Sequence, residues 1–146
     1  MRFIGAPLPE TIAGERFRDV LRMMYASPLA WLLLAVDEND SGETIGLCGV
    51  PHFDARAPRL EIGIVLSGSA RGKGYSAQVL RGLSARLFAL LPVDTLYLNY
   101  DPRNVPLDRA AASAGYSKAV EIAEARSRHF CRTAQRFLLS CGANVH

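Results

Sequence analysis

Cysteine is scarce in this chain. Cys48, Cys131 and Cys141 are an odd number with no C-x-x-C spacing, and His52, His129 and His146 complete no ligand pattern with them. That argues against a disulfide framework and against a zinc site. Long apolar runs are missing too: residues 29–36 fall far short of the roughly 20 that span a bilayer, and no charged region leads into a long apolar one near the N-terminus. The expectation is a protein without membrane contact, in a reducing, cytoplasmic compartment. Lysine is nearly absent: of 17 basic residues only Lys73 and Lys118 are lysines, and the arginines are spread along the chain. A formal charge of +3 suits an anionic small ligand and does not call for nucleic acid. The densest basic stretch, Arg126, Arg128, His129, Arg132 and Arg136, reads first as a solvated face, with an acidic acceptor as the alternative.

What is present is enough hydrophobic residue, 49% of 146, to build one core, so residues 1–146 are read as a single domain. Ile12, Phe17, Val20, Leu21 and Met24 recur at helical spacing after Pro9 and Glu10, which predicts a first helix. Residues 31–36 and 44–50 are apolar runs around a turn-rich stretch, Asp37-Glu38-Asn39-Asp40-Ser41-Gly42, which predicts a hairpin. In the next strand Leu60, Ile62, Ile64 and Leu66 take one face, and Glu61, Gly63 and Val65 the other. Val79, Leu80, Leu83, Leu87 and Leu91 then stripe a long helix that Pro92 stops. A strand at residues 96–100, a short helix at residues 106–114 closed by Gly115, and strands at residues 120–123 and 136–139 complete a mixed α+β layout. Its middle alone has room for a parallel crossover.

Between the third strand and the long helix lies Arg71-Gly72-Lys73-Gly74-Tyr75-Ser76. A glycine-rich turn entering a helix N-terminus offers several N–H donors to one anion, and Arg71 and Lys73 add charge. The bland alternative is a helix start with incidental glycines. A Walker A loop is excluded, because it needs Gly at position 67 and Ser or Thr at position 74, where Ser67 and Gly74 stand. A dinucleotide fingerprint remains open, since Gly72, Gly74 and Ala77 fit G-x-G-x-x-A and Asp94 follows at the expected distance. An antiparallel meander before the loop and the short chain after it weigh against that reading.

The same residues resemble the GCN5-related N-acetyltransferases, whose phosphate loop reads Q/R-x-x-G-x-G/A: Arg71, Gly74 and Ser76 take those places. Asn104 followed by a short helix ending at Gly115-Tyr116 resembles the family's N-x10-G-F/Y pattern. The local run from Glu61 to Tyr75 is most similar to the branch containing ribosomal-protein N-terminal acetyltransferases. The resemblance implies a mostly antiparallel sheet splayed between its fourth and fifth strands, acetyl-CoA as co-substrate, no metal, and an amine-bearing acceptor, either a small molecule, an aminoacyl compound or a protein N-terminus. It leaves homodimerisation open. It further implies that Ile64, Val65 and Leu66 pair with the pantetheine arm, that Arg71, Gly72, Lys73, Gly74, Tyr75 and Ser76 hold the pyrophosphate, and that Asn104 contacts the cofactor; Asn104 also suits a helix cap.

Direct acetyl transfer needs a neutral amine. An α-amine with a pKa of about 7.8 is roughly one-seventh neutral at pH 7, a lysine amine near 10.4 only about once in 2,500. Glu61 is the candidate base because Gly63 leaves room beside it on the same strand face; its plain alternative is an exposed strand carboxylate, or a partner for Arg59 or for an arginine of another strand. His52 and Asp54 are reserves. Many relatives carry a tyrosine, the acid for the departing thiolate, where this chain has Ala111. Tyr116 matches an aromatic core position instead. With the acid unassigned, a catalytically weak acyl-CoA-binding or interaction module on the same fold is the alternative to an enzyme.

Overall fold

The computed structural model of the protein describes residues 8–118 and 135–140. Its elements run α1 (Glu10–Met24), β1 (Leu32–Asp37), β2 (Thr44–Val50), β3 (Arg59–Glu61), β4 (Gly63–Leu66), a short 3-10 turn (Gly68–Ala70), α2 (Tyr75–Leu90), β5 (Thr95–Tyr100), α3 (Val105–Ser113), β6 (Ser117–Lys118) and β7 (Gln135–Ser140). The strand expected at residues 120–123 and the basic stretch from Arg126 to Arg132 lie outside the described residues, as do Cys131 and Cys141. β7 matches the last expected strand. β6, too short to carry a periodic signal, pairs with it antiparallel.

The structure corrects the expected single strand over residues 60–66. It is two strands in two sheets. β4 pairs antiparallel with β2 in a sheet ordered β1-β2-β4, whereas β3 pairs parallel with β5 in a sheet ordered β3-β5-β7-β6. The parallel pair is the crossover expected in the middle of the chain, with α2 as its connection. Elsewhere the ladders are antiparallel, which rules out the doubly wound parallel sheet of a dinucleotide-binding domain. Asp94, the acidic residue that reading needed, instead donates its N–H to Pro58 O at 2.8 Å.

One core joins the two sheets to α2 and α3. Leu80, Leu83 and Leu87 from the predicted stripe are buried, and they pack with Val50, Leu60, Ile62, Leu96, Leu98 and Tyr100. Alternation along β5 sends Leu96, Leu98 and Tyr100 inward. Ala111 and Ala114 bury the small-residue face of α3 in the same core. On α1 the expected stripe is covered only in part: Val20, Leu21 and Met24 are half-buried, while Ile12 and Phe17 are exposed. No second helix separates α1 from β1 in residues 25–31.

Candidate active site

The handover between the sheets leaves a wedge between β4 and β5. Among the described residues β4 is an edge strand of its sheet, and the phase of its ladder fixes which peptide groups face the wedge. Ser67 N–H donates to Ile45 O at 2.8 Å, continuing a uniform register in which Val65 faces Leu47 and Leu66 faces Gly46. Antiparallel ladders alternate, so the peptide groups of Val65 turn to β2 and those of Ile64 and Leu66 turn outward. Val65 therefore differs from expectation, because only its side chain, 43% exposed, is left to meet a ligand.

The loop at the end of β4 is shaped by its glycines. Gly72 and Gly74 have φ of +75° and +78°, the left-handed region that other residues enter at a cost. A Cβ at either would meet nothing within 4 Å, so the space against the loop backbone is open. Arg71 N–H is taken by Gly68 O at 3.3 Å, and the next backbone donor with a partner is Gln78, to Gly74 O at 3.4 Å. The amides of residues 72–77 thus make no backbone hydrogen bond among the described residues, and those from Tyr75 onward sit in the first turn of α2. Arg71 has its exposed guanidinium to offer, not its amide. This cradle of N–H donors, positive side chains and helix N-terminus fits the diphosphate of coenzyme A.

A residue that the sequence does not flag reaches this loop. Glu38, in the turn between β1 and β2, accepts a hydrogen bond from the Tyr75 hydroxyl and another from Ser41 Oγ at 2.8 Å, and lies 3.8 Å from Lys73 Nζ. The Tyr75 bond foremost, then Ser41 and the Lys73 charge, holds the Glu38 carboxyl below its ordinary range. The same bond raises the Tyr75 hydroxyl. Nothing in the residues' spacing announces a contact across 37 positions.

Asn104 caps α3. Its Oδ1 accepts from Leu107 N–H at 3.3 Å and its own N–H donates to Asp101 O at 2.8 Å. The buried Asp101 binds Arg103 through a 2.5 Å ion pair and so fixes the bend after β5. Glu61 is half-buried on β3 opposite Tyr97, over whose ring the Arg59 guanidinium lies at 5.8 Å. His52 stands at positive φ, +52°, with its ring 5.8 Å from that of Trp31. Asp54 Oδ1 accepts from Arg56 N–H at 2.9 Å and closes a turn.

The tyrosines around α2 and α3 are engaged elsewhere. Tyr116, buried at the expected core position, shares a 2.5 Å hydrogen bond with Ser84 Oγ, and burial pushes its hydroxyl up to about 12. Tyr100 donates to Asp108 Oδ1 at 2.6 Å, and burial, then that bond, raises its hydroxyl further still. Ala111 is fully buried. Burial likewise raises the Cys48 thiol, which speaks against a cysteine nucleophile there. Among the described residues no group of His, Cys, Asp and Glu is arranged to hold a metal ion, and no helix is long and apolar enough to cross a membrane.

Comparison with known proteins agrees with this geometry. The family profile described as "Acetyltransferase (GNAT) domain" matches residues 1–117. No curated protein matches by sequence. Among solved structures, an acetyltransferase from Agrobacterium tumefaciens str. C58 superposes with a TM-score of 0.73 at 22% identity, covering 94% of this chain and 76% of that one. Spermidine N-acetyltransferase from Vibrio cholerae, in complex with CoA and spermine, gives 0.72 at 14% identity, covering 93% and 78%. A candidate ribosomal-protein-serine acetyltransferase from Vibrio cholerae gives 0.71 at 20% identity, covering 86% and 72%. At such identities the neighbours show the fold; the profile, which spans most of the sequence, shows the family. The chain therefore belongs to the GNAT acetyltransferases, enzymes of the acyltransferase class that draw their acetyl group from acetyl-CoA.

Proposed function

We propose that this protein is an N-acetyltransferase that passes the acetyl group of acetyl-CoA directly to a primary amine, on a small molecule, an aminoacyl compound or a protein N-terminus. The observation that carries the reading is the run of amides at residues 72–77 that make no backbone hydrogen bond among the described residues, beside the edge strand β4. Ile64 and Leu66 pair through their outward peptide groups with the amide-bearing pantetheine arm, as an added strand would. Residues 72–76 donate to the diphosphate, with Arg71 and Lys73 supplying charge, and the side-chain NH2 of Asn104 reaches the cofactor while its oxygen keeps the cap. That spermidine N-acetyltransferase was solved with spermine supports an amine acceptor.

Acetyl-CoA supplies an activated thioester. Glu61, at the end of β3 and two residues before Gly63, which opens β4 with nothing within 4 Å of a Cβ there, takes the proton from the incoming ammonium and delivers a neutral amine to the wedge. The departing thiolate has the modest basicity of a thiol near 8.5, so it leaves without a tyrosine acid and takes a proton from solvent, while the attacking nitrogen releases its own second proton to solvent as the amide forms. The chain's own contribution is thus orientation, charge complementarity and one base.

The test is direct. Melting with acetyl-CoA at ~100 times Kd is expected to add about 2.7 kcal/mol, roughly 5–10 °C for a chain of this size. Absence of a shift at millimolar acetyl-CoA refutes the cofactor site. Free-thiol release across a panel of amines, peptides and aminoacyl compounds then distinguishes the enzyme from the binding module that buried Ala111 keeps in view. Binding without thiol release from any amine would favour the module. Glu61→Gln is expected to lower kcat most at neutral and lower pH, where more of the amine is protonated, with acetyl-CoA affinity retained; an unchanged pH–rate profile returns Glu61 to a structural role.

A further inference from the structure

We infer that Glu38 is a positioning residue for the anion-binding loop: a latch in the β1–β2 turn that holds the first residue of α2, and with it the amides of residues 72–77, in the geometry that receives a diphosphate. The inference rests on the reading of the loop given above.

Glu38 is itself rigidly held. Its N–H donates to Glu43 O at 2.9 Å, its carbonyl accepts from Gly42 N–H at 2.8 Å, and Oε2 accepts from Ser41 Oγ. With the backbone of Glu38 fastened at two points and its carboxylate at a third through Oε2, Oε1 is left to meet the Tyr75 hydroxyl and Lys73 Nζ. Tyr75 opens α2, and Lys73 lies over its ring at 5.8 Å. The loop needs such a tether. Residues 71–74 are exposed, and two of them are glycines with open space around them, so packing does not hold the backbone. An untethered glycine loop must give up conformational freedom when its ligand binds, which weakens affinity; a tether lets folding bear that loss beforehand.

A negative charge beside an anion site is costly for binding unless its geometric role outweighs the repulsion. That conflict makes the inference testable, because a latch and a repulsive gate predict opposite signs. Acetyl-CoA affinity is measured by calorimetry on the full chain for wild type, Glu38→Ala, Glu38→Gln, Tyr75→Phe and the Glu38→Ala/Tyr75→Phe pair. A latch predicts about tenfold weaker binding in each of Glu38→Ala and Tyr75→Phe, because either change removes the one bond that ties the start of α2 to the hairpin. The double variant is then no weaker than either single one. Glu38→Gln, which keeps an oxygen for the tyrosine, stays within about threefold of wild type. In turnover, KM for acetyl-CoA rises and KM for the amine does not. Glu38→Ala binding as tightly as wild type or tighter overturns the latch, as do additive losses in the double variant. Wild type failing to bind acetyl-CoA refutes the site reading itself, a different failure. If Glu38→Ala does not fold, Tyr75→Phe and Glu38→Gln alone decide, since only a latch makes the first weak and the second near normal.

Discussion

Ile62 donates its N–H to the carbonyl of Tyr97 at 2.8 Å, and the very next residue, Gly63, faces Gly49 in the other sheet. The strand changes partner within one peptide unit. Before that point it belongs to β5, after it to β2, and past the change neither Leu66 nor the end of β5 has a strand on the inner side among the described residues. The wedge that the pantetheine arm is proposed to fill is therefore a consequence of sheet pairing, and the loop at its mouth follows from where β4 ends.

Three glycines in these strands are expected to respond differently to one methyl group. A Cβ at Gly49 would come within 1.9 Å of Leu32 O, and one at Gly46 within 2.3 Å of Val65 O, whereas at Gly63 it meets nothing within 4 Å. Gly49→Ala and Gly46→Ala must push backbones apart and should each lose about 1–3 kcal/mol. Gly63→Ala should leave the melting temperature within about 2 °C of wild type, a change under ~0.5 kcal/mol. Thermal unfolding of the three variants checks this ordering, and a Gly63→Ala loss equal to that of Gly49→Ala would contradict it.

At the loop, Gly74→Ala puts a Cβ on a residue with φ +78° at the N-cap of α2. The strain is about 1–2 kcal/mol, and the methyl enters the open space against the loop backbone, where the diphosphate is proposed to sit. Acetyl-CoA affinity should fall well beyond what the stability loss explains. Arg71→Ala, at an exposed position with its amide already bonded to Gly68, should leave stability unchanged and weaken acetyl-CoA binding most at low salt, where its charge is least screened. Calorimetry at two ionic strengths separates the two effects; equal losses at both would assign Arg71 something other than a charge role.

The sequence carried the loop and hid the break beside it. Gly72 and Gly74 mark positive-φ positions because little else tolerates them, and Val79 to Leu91 spell a helix by spacing alone. Leu60, Ile62, Ile64 and Leu66 alternate without interruption, yet alternation reports which face a residue takes and not which strand pairs with it. The partner change at Gly63 is invisible to it. The same limit applies to Val65 and Arg71, whose amides are committed to β2 and to Gly68 by ladder phase and turn geometry. Glu38 sat among ordinary turn residues, and its contact with Tyr75 exists only once the hairpin and α2 are packed side by side.

The Glu38–Tyr75 bond also has a pH signature. Tyr75, Ser41 and Lys73 hold the Glu38 carboxyl below 4.5, while Glu38 and the charge of Asp40 hold the Tyr75 hydroxyl above 10. A depressed carboxyl stabilises the fold above its ordinary value and loses that contribution as pH falls through the lowered one. A raised hydroxyl does the reverse, contributing below 10 and fading as pH climbs through the raised value. The melting difference between wild type and Glu38→Ala should therefore be flat from about pH 5 to 9 and shrink on both sides. A difference that grows toward acid would mean that the carboxylate is destabilising where it stands.

Ser84 and Tyr116 decide whether a buried hydroxyl belongs to chemistry or to packing. Ser84 has one hydrogen, and it goes to Leu80 O at 2.6 Å. Tyr116, 2.5 Å away, must then be the donor in their shared bond. Its proton is committed inside the core, its hydroxyl is pushed up to about 12, and the ring is 4% exposed. Tyr116→Phe removes that donor and leaves Ser84 Oγ one hydrogen bond short in a dry setting, a loss of about 1–2 kcal/mol. If Tyr116 were the acid that protonates the thiolate, kcat would fall by the ~100-fold or more typical of a lost acid–base group. The expectation is a lower melting temperature with kcat within about twofold, measured well below the variant's unfolding transition, where both proteins are fully folded.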